Sequence, residues 1–179
     1  MLLSAYFAAI DDKCLDADVI AATFLPDGRV IRPDGAALTG WAAILAEQTE
    51  SFARFRATHH MLTDHVVTRS GDTARVRANM QAMHLWNDAG KSAELETHFV
   101  AGGVLRAGAE LTPEGWRLSE LTMRPTWRTG STTRMFLPPT GEQPAGCNTR
   151  CTSRGSFARG RAQPSKLENI EPSSGGSRR

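Results

Sequence analysis

Apolar residues recur at helical spacing from Leu2 to Lys13, where Leu2, Leu3, Tyr6, Ala9 and Ile10 share one broad stripe. This pattern predicts a first helix. Asp16 or Asp18 is placed to cap a short second helix ending near Phe24; Pro26-Asp27-Gly28 then predicts a turn, and Val30-Ile31 a strand. Thr39 is placed to cap a third helix reaching about Phe55, with Trp41, Ile44, Leu45, Gln48 and Phe52 on its inner side. After Ala57 the apolar period changes to two. Three long alternating segments follow, Thr58 to Arg69, Thr73 to Trp86 and Glu94 to about Ala109, joined by turns at Ser70-Gly71-Asp72 and Asn87-Asp88-Ala89-Gly90. A fourth segment, Gly115 to Arg128, follows the turn at Thr112-Pro113-Glu114-Gly115 and completes a sheet of long antiparallel neighbours. Helices first and hairpins afterwards predict an α+β fold: a curved sheet wrapped around helices as a cone, with a pocket in its open mouth.

Composition narrows the class of function. Of 179 residues, 40% are apolar and 22% charged, which suits one soluble domain, and no apolar run approaches the roughly 20 residues of a membrane helix. The opening stretch has no basic start and runs into acidic residues, so it does not read as a secretory leader; a cytoplasmic location and no membrane partner are expected. Residues 1–130 hold 13 Lys or Arg against 16 Asp or Glu, and residues 131–179 hold 8 against 3. The acidic body carries no electrostatic footprint for nucleic acid. The chain therefore divides into a domain over 1–130 and a basic Gly/Pro/Ser/Arg-rich tail over 131–179. Most of the tail is expected to be disordered, with Met135-Phe136-Leu137 placed to fold back over the pocket. Cys14, Cys147 and Cys151 are expected to be free thiols.

Alternation puts His60, Leu62, Asp64 and Val66 on one face of their strand, and His59, Met61, His65 and Val67 on the other. In the next strand Ala74, Val76, Ala78, Met80, Ala82 and His84 share a face, so His84 ends an apolar row. A buried imidazole needs a partner. Asp11, at the end of the first helix, is the nearest candidate by topology, and a carboxylate there fixes the imidazole tautomer and raises its basicity. The alternative is a core histidine satisfied by a backbone carbonyl. His59, His65 and His98 suit surface or packing roles. His59, His60, Asp64, His65 and His84 include metal-ligand types, but a strand splits them between two faces, so no metal and no cofactor is expected. Tyr6 lies about 140° from Asp11 around an ideal helix, so spacing leaves it either in the core or in the chemistry. Arg124, in Leu-Thr-Met-Arg-Pro-Thr-Trp, either pairs with an acid or reaches an anionic substrate group. Tyr6, Asp11, His60 and His84 are thus the candidate catalytic set of an acid-base pocket for a small molecule, with Arg124, Asp64, Met80 and Trp86 as candidate substrate contacts.

Four ordered segments carry a family resemblance: Tyr6-Phe-Ala-Ala-Ile-Asp11-Asp-Lys, Thr-Phe-Leu-Pro-Asp-Gly-Arg-Val, Thr-His-His60-Met-Leu-Thr-Asp64, and Gly-Trp116-Arg-Leu-Ser-Glu-Leu-Thr-Met-Arg124-Pro-Thr-Trp127-Arg-Thr-Gly130. Residues 1–130 resemble the SnoaL-like branch of the nuclear transport factor 2-like superfamily, closest in spacing to scytalone dehydratase and bile-acid 7α-dehydratase. The resemblance implies a cone fold and a catalytic aspartate and histidine at Asp11 and His60. His84 matches the second histidine of the scytalone enzyme, while Tyr6 and Arg124 match a tyrosine and an arginine of the bile-acid enzyme. Ile10, Arg32, Ala101 and Gly103 depart from the scytalone pattern, and Asp64 replaces a frequent asparagine, so another substrate is implied. The expected activity is a cofactor-free lyase or isomerase, foremost a dehydratase of a hydroxylated cyclic or polyketide-like carbonyl compound. A polyketide cyclase or a ketosteroid-isomerase-like enzyme needs the same base. A non-catalytic ligand-binding or assembly module is the other class, and because homo-oligomers are common in the superfamily, self-association through the outer sheet face is expected.

Overall fold

The long alternating segments build one curved six-stranded sheet in a computed structural model that describes residues 2–87 and 98–130. The elements in chain order are α1 (Leu2–Asp11), α2 (Ala17–Thr23), β1 (Phe24–Ile31), β2 (Ala37–Thr39), α3 (Trp41–Ala53), β3 (Phe55–Ser70), β4 (Thr73–Trp86), β5 (His98–Thr112) and β6 (Gly115–Gly130). The strands lie in the order β2-β1-β6-β5-β4-β3. β1 runs parallel to β6, and every other neighbouring pair is antiparallel. Leu3, Tyr6, Phe7 and Ile10 of α1, with Ile20 and Ile44 of the other helices, pack on Met80, Ala82, Leu105, Ala107, Leu118 and Leu121 of the sheet. Each large side chain buried this way contributes about 1.5–3 kcal/mol. A smaller cluster gathers Phe55, Trp86, Phe99 and Ala101.

The helix ends decide where α1 delivers its last residues. Lys13 adopts the left-handed conformation (φ 56°), its N–H donates to Ile10 O at 3.2 Å, and the N–H of Cys14 donates to Ala9 O at 2.9 Å. This is the Schellman way of ending a helix, in which glycine normally takes the left-handed position; a side chain there costs about 1 kcal/mol. Asp16 caps α2 by accepting the N–H of Val19 at 2.9 Å.

Three local expectations are corrected by bulges and edges. Pro26-Asp27-Gly28 is not a turn but part of β1, where the register with β6 shifts between Phe24 and Arg29. Gly28 is required in that irregular stretch, because a Cβ would lie 2.9 Å from Leu25 O and 3.0 Å from Leu118 O. Thr39 does not cap α3; it pairs with Arg29 in the short strand β2, and Gly40 (φ 83°) takes the cap position with no side-chain bond. In β3 the register slips between Thr63 and Val66, and Asp64 sits at φ 52°. The slip turns Val66 to the outer face opposite Arg77, where it is 56% exposed, so it does not share a face with His60 and Leu62.

The tail from residue 131 with Met135-Phe136-Leu137, the turn beyond Asn87, the segment before His98, and Cys147 and Cys151 lie outside the described residues. Among the described residues no helix is long and apolar enough to cross a membrane.

Candidate active site

Asp11, the last residue of α1, is carried over the inner face of β3, where alternation presents Thr58 and His60 on the same side. The Asp11 carboxylate accepts three hydrogen bonds there. Oδ1 accepts from the Thr58 hydroxyl at 2.7 Å and lies 2.6 Å from His60 Nδ1, while Oδ2 accepts the His60 backbone N–H at 2.8 Å. A carboxylate so placed accepts a hydrogen bond from Nδ1–H and so leaves Nε2 as the basic nitrogen of the ring. Burial alone would raise the Asp11 carboxyl, but the hydrogen bonds from His60 and Thr58 outweigh it and hold the pKa at about 2.

His84 enters from the adjoining strand, where its Cα partners are Thr58 on β3 and Phe99 on β5. Its ring stacks on Phe99 with centroids 4.2 Å apart and meets the His60 ring edge-on at 5.5 Å. Burial above all, then the neighbouring His60, pushes the His84 pKa down to about 3, so the ring is neutral at pH 7. Its Nδ1 is buried and has no hydrogen-bond partner among the described residues. A buried polar atom left in this state marks either a stored cost or a place for a ligand atom.

Aromatic rings wall the pair of histidines. Phe7 lies 5.0 Å and Phe52 5.8 Å from the His60 ring, and Phe55 lies 4.8 Å from His84. The His60 side chain is only 3% exposed. Two grooves of about 440 and 770 Å³ open elsewhere, the first along Pro125-Thr126-Trp127-Arg128 and the second by Arg75, Arg77 and Arg106; neither contains a histidine.

Of the other candidate residues, Met80 and Trp86 are buried on the inner face, Met80 in the main core and Trp86 in the smaller cluster beside His84. Tyr6 is fully buried, with Phe7 and Phe24 as its ring neighbours, and burial raises its pKa so that it stays protonated. Arg124 is exposed and pairs in register with Val104, a position out of phase with the inward-facing Leu105 and Met123. It lies on the opposite face of the sheet from the histidines. Asp64 also stands apart, at the β3 bulge, where it accepts a hydrogen bond from Asn79 Nδ2 at 2.6 Å. Sequence reasoning missed Thr58, although its spacing of two from His60 signals a shared face. Among the described residues no group of three His, Cys, Asp or Glu side chains is placed to hold a metal.

Two of the shifted groups, Asp11 and His84, make the fold acid-sensitive in separate windows. Asp11 stabilises the fold above the ordinary carboxylate value of 3.8, and this is lost as pH falls through about 2. His84 acts earlier: the unfolded chain takes up a proton below 6.5 while the folded one resists until about 3, so stability drains away across that interval as pH falls. Replacing His84 by phenylalanine is expected to remove the upper part of the decline, saving roughly 2–5 kcal/mol at pH 3. Urea unfolding between pH 7 and pH 3 checks this, and equal slopes in the two proteins would refute it.

The SnoaL-like domain family matches residues 1–122 of the chain. Among solved structures, a protein from Novosphingobium aromaticivorans assigned as an aromatic ring hydroxylase is 27% identical, with a TM-score of 0.63 over 75% of this chain and 91% of that one. A protein from the same species assigned as a scytalone dehydratase is 18% identical, with a TM-score of 0.61 over 83% and 89%. A hexachlorocyclohexane dehydrochlorinase is 14% identical, with a TM-score of 0.62 over 80% and 88%. The last two likenesses establish the fold alone. Among curated proteins none matches the chain.

Proposed function

The chain belongs to the SnoaL-like domain family of the nuclear transport factor 2-like superfamily, and on that premise we propose that it is a cofactor-independent lyase, a dehydratase of a neutral hydroxylated carbonyl compound of cyclic or polyketide-like type. The observation that carries this reading is the Asp11–His60 pair at 2.6 Å, with His84 edge-on beside it. His60 Nε2 takes the proton next to the substrate carbonyl, and Asp11 stabilises the imidazolium that forms. Electrons from the broken C–H bond pass into the enolate, whose oxygen the neutral His84 ring steadies by a hydrogen bond. As the enolate collapses, a carbon-carbon double bond forms, the C–O bond breaks, and the imidazolium returns its proton to the departing hydroxide. Water leaves and His60 is neutral again. Tyr6, kept protonated by burial, is a donor and not a base. With Arg124 on the other face, the substrate needs no anionic group.

Isomerisation and ring closure begin with the same proton abstraction, so a ketosteroid-isomerase-like enzyme or a polyketide cyclase differs only in what the enolate does next. The aromatic packing supports a second reading. A His60 side chain only 3% exposed among Phe7 and Phe52 is also what a non-catalytic binding module displays. Incubating the protein with a panel of hydroxy-ketones and following masses separates these. Loss of one water, abolished by His60→Ala, supports the dehydratase; rearrangement at constant mass points to the isomerase or cyclase; saturable binding without conversion sinks the enzyme reading.

A further inference from the structure

Lys13 lies two residues beyond Asp11, and its left-handed backbone is one that glycine adopts more readily. Its side chain makes contacts that glycine could not. Nζ donates to Phe52 O at 3.0 Å and to Phe55 O at 2.9 Å, reaching the end of α3 and the start of β3 about forty residues away. Those two acceptors belong to the residues whose rings touch the histidines: Phe52 meets both, at 5.8 and 6.2 Å, and Phe55 meets His84 at 4.8 Å.

We propose that Lys13 is a positioning residue of the acid-base centre, an ammonium clip that ties the end of α1 bearing Asp11 to the α3–β3 corner bearing Phe52 and Phe55. The inference rests on the reading of Asp11, His60 and His84 as that centre. A carbonyl at a helix C-terminus favours a cation. Here one cation serves both sides of the corner, so Asp11 and the aromatic wall cannot shift independently. Burial lowers the pKa of the Lys13 ammonium while Asp11 raises it, which places the lysine within electrostatic reach of the dyad. The left-handed backbone is thus retained for what the side chain does at its far end.

Two variants of the full chain test the clip. Lys13→Gly suits the left-handed backbone, so α1 still ends in place and the fold survives while the clip is lost. Lys13→Arg keeps a cation able to reach both carbonyls. In Lys13→Gly, hydrogen exchange of the His60 amide, which Asp11 accepts, is expected to quicken about tenfold or more. The low-field NMR proton of the short Asp11–His60 bond should move or vanish, and Lys13→Arg should restore both signals. On a substrate that the wild-type protein converts, kcat should fall about tenfold with KM nearly unchanged, as expected for a misplaced catalytic group. Unchanged amide exchange and an unmoved low-field proton in Lys13→Gly would overturn the proposal, whatever happens to Tm, and so would an arginine that restores neither. If both NMR signals respond but no substrate is turned over even by the wild-type protein, the clip stands and the enzymatic reading fails.

Discussion

Replacing His60 by alanine is expected to lower kcat by about 10² to 10⁴ while leaving the fold and the affinity for ligand nearly intact, because the proposed base acts in the transition state more than in the ground state. Asp11→Asn is expected to cost a similar amount. The amide can hold the imidazole in the wrong tautomer, with the proton on Nε2, where the basic lone pair is needed. Asparagine also loses the negative charge that stabilises an imidazolium formed beside it. The double variant should be little worse than either single one, since one 2.6 Å pair acts as a unit. Steady-state kinetics on a substrate found by the mass screen measure all three. Multiplicative losses would mean that the two residues act separately, and undiminished turnover in His60→Ala removes the histidine from the mechanism.

The largest expected loss of stability comes from Gly103→Val. On β5, a Cβ at this position collides with the Arg124 carbonyl oxygen and comes within 2.9 Å of Pro125 Cα, both on the backbone of β6. Backbone cannot rotate aside as a side chain does. The two strands must separate where their register already shifts, between Gly102 and Gly103. A cost of about 3 kcal/mol or more follows, which lowers Tm by about 10 °C. Gly108→Ala on the same strand is the control, because its Cβ meets the Ser119 hydroxyl at 2.9 Å, a group free to change rotamer. Thermal unfolding followed by circular dichroism compares them, and similar midpoints for the two variants would contradict the argument.

The period-two pattern made β4 readable to its ends, from Thr73 to Trp86, because an uninterrupted strand keeps one phase. The same reasoning failed in β3 beyond Thr63, because one extra residue at a bulge inverts every later side chain, as Val66 shows. Pro26-Asp27-Gly28 carries a turn composition, yet pairing with β6 absorbs it into β1, a tertiary effect that local chemistry does not announce. Of the candidate site, Asp11 and His60 were legible as types that need each other, and the strand phase put His84 with them. Arg124 was not placed, since an arginine among apolar neighbours reads alike on either face. Lys13 left no signal at all: its role depends on a left-handed backbone and on carbonyls some forty residues away.

The bulge at Asp64 also bears on how copies of this protein behave in a crowded solution. β3 is the last strand of the sheet, sixteen residues long, and no described strand pairs with its outer edge. A straight edge of that length is a template onto which a second chain can add hydrogen bonds, then a third, until the sheets form a fibre. Near the middle of β3, Asp64 turns into left-handed space and breaks the row of donors and acceptors, while its carboxylate is drawn back over the sheet to Asn79 of β4. Each half of the edge is then a shorter, interrupted run, and an interruption of this kind is one way in which an edge strand resists strand-by-strand growth.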